Sequence, residues 1–125
     1  MPNKTILLVE DDPMNMRLAQ HILESQGYTV VGAITGQEAL NQVNDNLPDL
    51  ILMDMQLPDI DGMTLVRLIR AKDTTRETSI LALTACAMKG DREKILKTGC
   101  NDYISKPINV ENFISTVRKY LDTGN

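Results

Sequence analysis

Four apolar runs in this chain lead into side chains that can do chemistry. Leu7-Leu-Val runs into Glu10, Asp11 and Asp12; Leu50-Ile-Leu-Met into Asp54; Ile80-Leu-Ala-Leu into Thr84; and Tyr103-Ile into Ser105, Lys106 and Pro107. Carboxylates gathered in one place repel one another, which raises their pKa values or demands a cation. Oxygen-only ligands favour a hard metal. Asp11 and Asp54, with a nearby backbone carbonyl and water, suit Mg²⁺, which keeps several waters and is usually held by one or two carboxylates plus phosphate oxygens. A lysine and a threonine opposite that ion can neutralise and hydrogen-bond the equatorial oxygens of a phosphoryl group. The reaction class is phosphoryl transfer. A carboxylate can be its nucleophile, since aspartyl phosphates are established covalent intermediates.

Those residues can meet only if the apolar runs lie side by side and point the same way. Thr5–Val9, Tyr28–Ala33, Leu50–Met53, Ile80–Leu83 and Tyr103–Ile104 read as strands, several too continuous for a sheet with one wet face. Between them lie stretches with helical spacing: Leu18, Ile22 and Leu23; Ala39, Leu40 and Val43; Leu65, Leu68 and Ile69; Ile95 and Leu96; and Val110, Phe113, Ile114, Val117 and Leu121. Asp12 before Pro13 fits an N-cap and first helical position, and Gly27 follows the same helix. Thr35-Gly-Gln-Glu38 has the spacing of a capping box, and Gly99 and Asn109 suit a helix stop and a helix start. Strictly alternating strands and helices make parallel strands joined by right-handed crossovers, so the sheet is doubly wound with helices on both faces. In such a sheet the functional crevice lies beyond the carboxyl ends of the strands, where the chemistry-bearing residues fall.

Composition sets the remaining bounds. The chain has 125 residues, 42% of them hydrophobic, with one Phe and no Trp, so Ile, Leu, Val, Met and Ala must fill one core. A net charge of −4 argues against general attraction to nucleic acid or to an anionic membrane. Neither a secretory leader pattern nor an apolar span of transmembrane length is present, and the cytoplasm is the expected compartment. Cys86 and Cys100 lack metal or redox spacing and read as reduced, packed thiols. His21 reads as a surface or boundary residue of the first helix and stays outside the site. Met14, Met16, Met53, Met55, Met63 and Met88 read as packing or adaptable interface. Arg67, Arg70, Lys72 and Arg76 read as a solvated helix face and loop, with no implication of DNA binding.

The motifs Leu7-Leu-Val-Glu-Asp-Asp12, Pro48-Asp-Leu-Ile-Leu-Met-Asp-Met-Gln-Leu-Pro-Asp-Ile-Asp-Gly62, Leu83-Thr-Ala85 and Tyr103-Ile-Ser-Lys-Pro107 resemble, in order and across essentially the whole chain, the receiver domain of two-component response regulators. Glu10-Asp-Asp-Pro-Met-Asn-Met16 and Thr84-Ala-Cys-Ala-Met-Lys-Gly-Asp91 are more narrowly similar to single-domain cell-division regulators and to receivers attached to hybrid histidine kinases. The resemblance implies one flavodoxin-like (βα)5 domain over residues 1–125, with a parallel sheet of order 2-1-3-4-5. It implies that Asp54 accepts phosphate from a phosphohistidine on a sensor histidine kinase or histidine phosphotransfer protein. It implies a Mg²⁺ held by Asp11, Asp54 and the main-chain carbonyl of Gln56, with Glu10 acting through a water, and Lys106 contacting the phosphoryl group after a cis Lys106–Pro107 bond. It also implies that Thr84 and Tyr103 take switch positions that remodel the surface of the fourth helix, fifth strand and fifth helix for a downstream protein partner. Glu10 stands where the family more commonly has Asp. No classical enzyme is implied, only catalysis of the protein's own phosphorylation and slow autodephosphorylation.

Three other functions meet the same residues less well. A bound FMN needs a Ser-, Thr- or Gly-rich phosphate loop after the first strand, where this chain has Glu10-Asp11-Asp12. A phosphohydrolase with an aspartyl nucleophile usually places a second acid two residues on, and that position is Gln56. A pure interaction module would not need Asp11, Asp54, Thr84 and Lys106 together. With no output domain after the fifth helix, an intact adaptor that acts by binding partners is expected.

Overall fold

The computed structural model describes residues 4–45, 47–85 and 89–122; Cys86 and Met88 lie outside them. Five strands alternate with five helices: β1 (Thr5–Val9), α1 (Pro13–Ser25), β2 (Thr29–Ala33), α2 (Gly36–Asp45), β3 (Leu50–Asp54), α3 (Gly62–Arg70), β4 (Ser79–Thr84), α4 (Lys89–Thr98), β5 (Asp102–Ser105) and α5 (Val110–Leu121). All strand pairs are parallel, in the order β2-β1-β3-β4-β5. This is the doubly wound flavodoxin-like fold.

Strand side chains alternate between two cores, as the period of two requires. Ile6 and Leu8, Leu50 and Leu52, and Leu81 and Leu83 pack with Ala19, Leu23, Phe113 and Val117 from α1 and α5. Leu7 and Val9, Ile51 and Met53, and Ile80 and Ala82 pack with Ala39, Val43, Leu65, Ile69 and Ile95 from α2, α3 and α4. β3 is buried along its whole length, which explains why its sequence shows no polar alternation.

Three strands reach further than their apolar runs: β3 ends on Asp54, β4 on Thr84 and β5 on Ser105. Asp54 pairs with Leu83 and Thr84 with Ser105, and the amide of Met55 donates to the carbonyl of Leu83 at 3.1 Å. Main-chain pairing thus carries both polar residues inside the sheet. At the other end, Tyr28 drops out of β2 because its amide turns back to the carbonyl of Leu23.

The helix signals hold with two corrections. The Asp12 carboxylate accepts from the amide of Met14 with Pro13 at the first helical position, and Asn109 caps α5 by accepting from Asn112. Gly27 and Gly99 follow α1 and α4 with φ of +91° and +127°. The capping box at Thr35 is only half formed: Thr35 accepts from the amide of Glu38, but Glu38 reaches back to the amide of Ile34 and not to that of Thr35. Leu18, Leu68, Leu96 and Val110, which share the helical spacing of core residues, are exposed, Val110 by 48%. Leu18, Leu68 and Leu96 sit at the edge of their helices' apolar stripes, whereas Val110 shares the buried face of α5 but is its first residue, beyond the cover of the core.

Arg70 is also not the solvated residue its basic neighbourhood suggests. Its guanidinium donates to the carbonyls of Gly99, Thr75, Arg76 and Thr78 and to the side-chain oxygen of Asn101, tying the end of α3 to the entries of β4 and β5. Cys100 is buried beside it, and that burial pushes its thiol up to about 11, which fits a packed, reduced thiol.

One glycine is required by close approach. A Cβ on Gly62 would lie 2.7 Å from the Cα and 2.8 Å from the carbonyl oxygen of Met55, the residue after Asp54. Gly62→Ala is expected to lower the unfolding free energy by about 1–3 kcal/mol, the usual range for forcing a methyl group into a packed site. Urea denaturation followed by circular dichroism measures it, and an unchanged midpoint would show that the loop yields freely.

Candidate functional site

The carboxyl ends of the central strands bring the predicted residues together. Glu10 leaves β1 with its amide held by the carbonyl of Ala33 at the end of β2, which keeps the acid at the sheet rim. Its side chain turns inward and is buried, 1% exposed. One oxygen lies 2.8 Å from Lys106 Nζ and the other accepts from the amide of Asp12 at 3.2 Å. Asp54, 5% exposed, accepts from the amide of Gln56 at 2.9 Å on Oδ1 and from Lys106 Nζ at 3.1 Å on Oδ2. Lys106 is aimed inward from β5: its amide donates to the carbonyl of Thr84 at 2.8 Å, and its bond to Pro107 is cis.

Charges here control one another. Burial raises the pKa of Glu10 and Asp54 adds to that rise, while the hydrogen bond from Lys106 opposes it; the net shift is upward. Burial also pulls the Lys106 ammonium down, but its bonds to Glu10 and Asp54 outweigh burial and hold it above the usual lysine value. Lys106 is therefore charged at neutral pH and faces two acids at once.

Ligand oxygens of Glu10, Asp11 and Asp54 lie within 4.8 Å of one another, so the trio could hold a metal ion. The set is oxygen-only, and Asp11 is open to solvent, leaving room for waters in the shell. A hard divalent cation fits those donors.

Thr84 is buried at the end of β4 and lines a cleft of about 200 Å³ together with Met55, Gln56, Asp61 and Asp91. Tyr103 is half-buried on the α4 side of the sheet, with the Arg92 guanidinium 5.3 Å from its ring centre. His21 is exposed on α1 and does not join the site. Asp12 is occupied as the α1 cap. One residue escaped the sequence reading: Asp59, in the loop after β3, accepts from the amides of Gly36 and Gln37 at the start of α2. The signal available was a helix start, Gly36-Gln37, whose two amides no neighbouring side chain serves: Thr35 takes the amide of Glu38 and Glu38 that of Ile34.

A parallel α/β domain with an acid cluster and an inward lysine at its carboxyl rim has the make-up of a phosphoryl-accepting signalling module. The sequence model of the response regulator receiver domain matches residues 6–118. The polar-differentiation response regulator DivK of Brucella anthropi is 43% identical over 118 residues, 94% of this chain and 96% of that protein. A response regulator from Chloroflexus aurantiacus superposes with a TM-score of 0.92 at 35% identity, covering 97% of this chain and 99% of that one. The receiver domain of a Pseudomonas aeruginosa sensor histidine kinase, with a magnesium ion in its active-site cleft, does so at 0.89 and 38% over 97% and 99%. The chain belongs to the response regulator receiver domain family, and its function is that of a phosphoacceptor in two-component signalling. No helix among the described residues is long and apolar enough to cross a membrane.

The raised Glu10 pKa has a definite sign. The folded state holds that proton more tightly than the unfolded chain, so stability falls as pH rises from the ordinary value of 4.5 toward the raised one. Glu10→Gln cannot lose the proton. The stability of the variant relative to wild type is therefore expected to climb with pH through that window and then level off, as measured by urea denaturation between acidic and neutral pH. A difference independent of pH would show that Glu10 titrates normally in the fold.

Proposed function

We propose that Asp54 is the phosphoacceptor and takes its phosphoryl group from a phosphohistidine on a sensor histidine kinase or a histidine phosphotransfer protein. The observation that carries this reading is the environment of its carboxylate, which ends the buried strand β3 with one oxygen on Lys106 and the other on the amide of Gln56. An oxygen of Asp54 attacks phosphorus, the new P–O bond forms, the P–N bond to the donor imidazole breaks, and the nitrogen keeps the electron pair. Lys106 exchanges an acid partner for an equatorial phosphoryl oxygen, and the hydroxyl of Thr84 donates a hydrogen bond to another. Asp11, Asp54 and the main-chain carbonyl of Gln56 would hold Mg²⁺, with Glu10 acting through a water. When bound, that ion supplies charge neutralisation for the phosphoryl oxygens.

The same residues release phosphate slowly to water, so the protein catalyses its own phosphorylation and dephosphorylation without turning over an external substrate. Thr84 and Tyr103 form the switch. Movement of the Thr84 hydroxyl toward the phosphate lets the Tyr103 ring turn inward, shifting the surface of α4, β5 and α5 toward a form that binds a downstream protein. The reading assigns the protein to the cytoplasm and gives no role to nucleic acid or membrane.

Incubation with acetyl phosphate and Mg²⁺ is expected to add one phosphate to the wild-type chain by intact-mass measurement and none to Asp54→Asn. An equal gain in the variant would overturn the assignment. Thr84→Ala is expected to accept phosphate yet to show no phosphorylation-dependent change in the amide spectra of α4 and β5; full retention of that change would remove Thr84 from the relay.

A further inference from the structure

We propose that Asp59 is a positioning residue for the phosphoacceptor site, acting by capping α2 from the loop after β3 and so fixing the segment that carries Gln56. The inference rests on the reading of Asp54 and Gln56 given above.

The first amides of a helix have no partner within it. At α2, Thr35 supplies one acceptor, to the amide of Glu38. The amides of Gly36 and Gln37 are served from elsewhere, by Asp59 Oδ1 at 2.8 Å and Oδ2 at 3.1 Å. One carboxylate thus closes on two adjacent amides at the positive end of the helix dipole. Asp59 itself is exposed, and its carboxyl is nonetheless held below the usual range, chiefly by the hydrogen bond from Gly36.

The cap belongs to a larger joint. Beside it, a Cβ on Gly36 would come within 2.9 Å of the Ile60 Cβ, so the loop backs directly onto the helix start. Ile60 and Leu57 also pack against the core under α2 and α3. Further along, Gly62 closes on the main chain of Met55. The loop therefore has two anchors, one on α2 through Asp59 and Ile60 and one on the end of β3 through Gly62. Gln56, Leu57 and Pro58 are strung between Met55 and the first anchor, and the amide of Gln56 is bonded to the nucleophilic carboxylate. With only three residues between fixed points, releasing Asp59 changes where the Gln56 peptide can sit.

Thr35→Ala is the discriminating control, because it removes the other cap of the same helix without touching the loop. Mg²⁺ titration of the unphosphorylated protein, followed by isothermal calorimetry, is the direct readout, with thermal midpoints alongside. Asp59→Ala is expected to weaken Mg²⁺ binding about tenfold, the lower end of what outer partners of a metal site contribute. Asp59→Asn, which keeps one acceptor oxygen, is expected to recover part of that loss. Thr35→Ala is expected to lower the thermal midpoint to a similar degree yet leave the Mg²⁺ dissociation constant within twofold. If Asp59→Ala binds Mg²⁺ as the wild type does, or if Thr35→Ala weakens it equally, Asp59 is an ordinary helix cap and the inference fails. Asp54→Asn separates that failure from failure of the underlying reading: unimpaired Mg²⁺ binding and phosphate uptake in that variant would remove the site itself.

Discussion

The Lys106 ammonium, set between Glu10 and Asp54, is the interaction on which the functional end of the molecule depends. Two acids this well buried cannot both stay charged without a cation, since each would suffer the desolvation of its charge and the repulsion of the other. Lys106 meets both at hydrogen-bonding distance. A buried pair of this kind contributes little net stability, but losing one partner leaves an uncompensated charge, which is far more costly. Lys106 thus gives the buried Asp54 carboxylate a cationic partner, and that partner is equally suited to a phosphoryl oxygen.

That lysine can reach the acids only because the strand ends are in register. Asp54 continues the side-chain row of Leu50 and Leu52, which faces α1 and α5, whereas Thr84 continues the row of Ile80 and Ala82, which faces α2, α3 and α4. The Asp54 carboxylate and the Thr84 hydroxyl thus arise from opposite faces of one sheet and meet only at its rim. Main-chain bonds between Met55 and Leu83 and between Lys106 and Thr84 hold these last residues level. A slip of one residue in β4 or β5 would turn Thr84 or the approach to Lys106 away from Asp54.

Most of this was legible in the chain. Continuous apolar runs in β1, β3 and β4 reported burial on both faces, and each run led toward a residue of the candidate site because hydrophobicity stops where the sheet opens to the cleft. Local punctuation at Asp12, Asn109 and Gly99 was legible for the same reason: a cap involves neighbours in sequence. Bonds made across the fold were not. The Thr35-to-Glu38 spacing suggested a self-contained cap, and the structure gives two of those amides to Asp59, 22 and 23 residues away. Arg70 looked like part of a basic run, and only the carbonyls converging on it from two other segments make it a clamp. Glu10 read as a rim acid, yet it is among the most buried polar residues because its side chain follows Lys106 inward.

The distribution of anchoring across the fold bears on how such a site can signal. The amino-terminal side of β4 and β5 is locked by Arg70 and Asn101, which bond to successive main-chain groups at the starts of both strands. α3 buries Leu65, Val66 and Ile69, and α5 buries Phe113, Val117 and Leu121. Among the described side chains of α4, Ile95 alone is buried. A helix held by one apolar residue, on the sheet face that also carries Thr84 and Tyr103, costs less to displace than its neighbours, because little apolar surface is exposed when it moves. Tyr103 lies under Arg92 of that same helix, 5.3 Å from ring centre to guanidinium. Under the proposed reading, a perturbation at the acid cluster therefore meets stiff structure on the α1, α3 and α5 sides and finds its easiest path through α4 and β5.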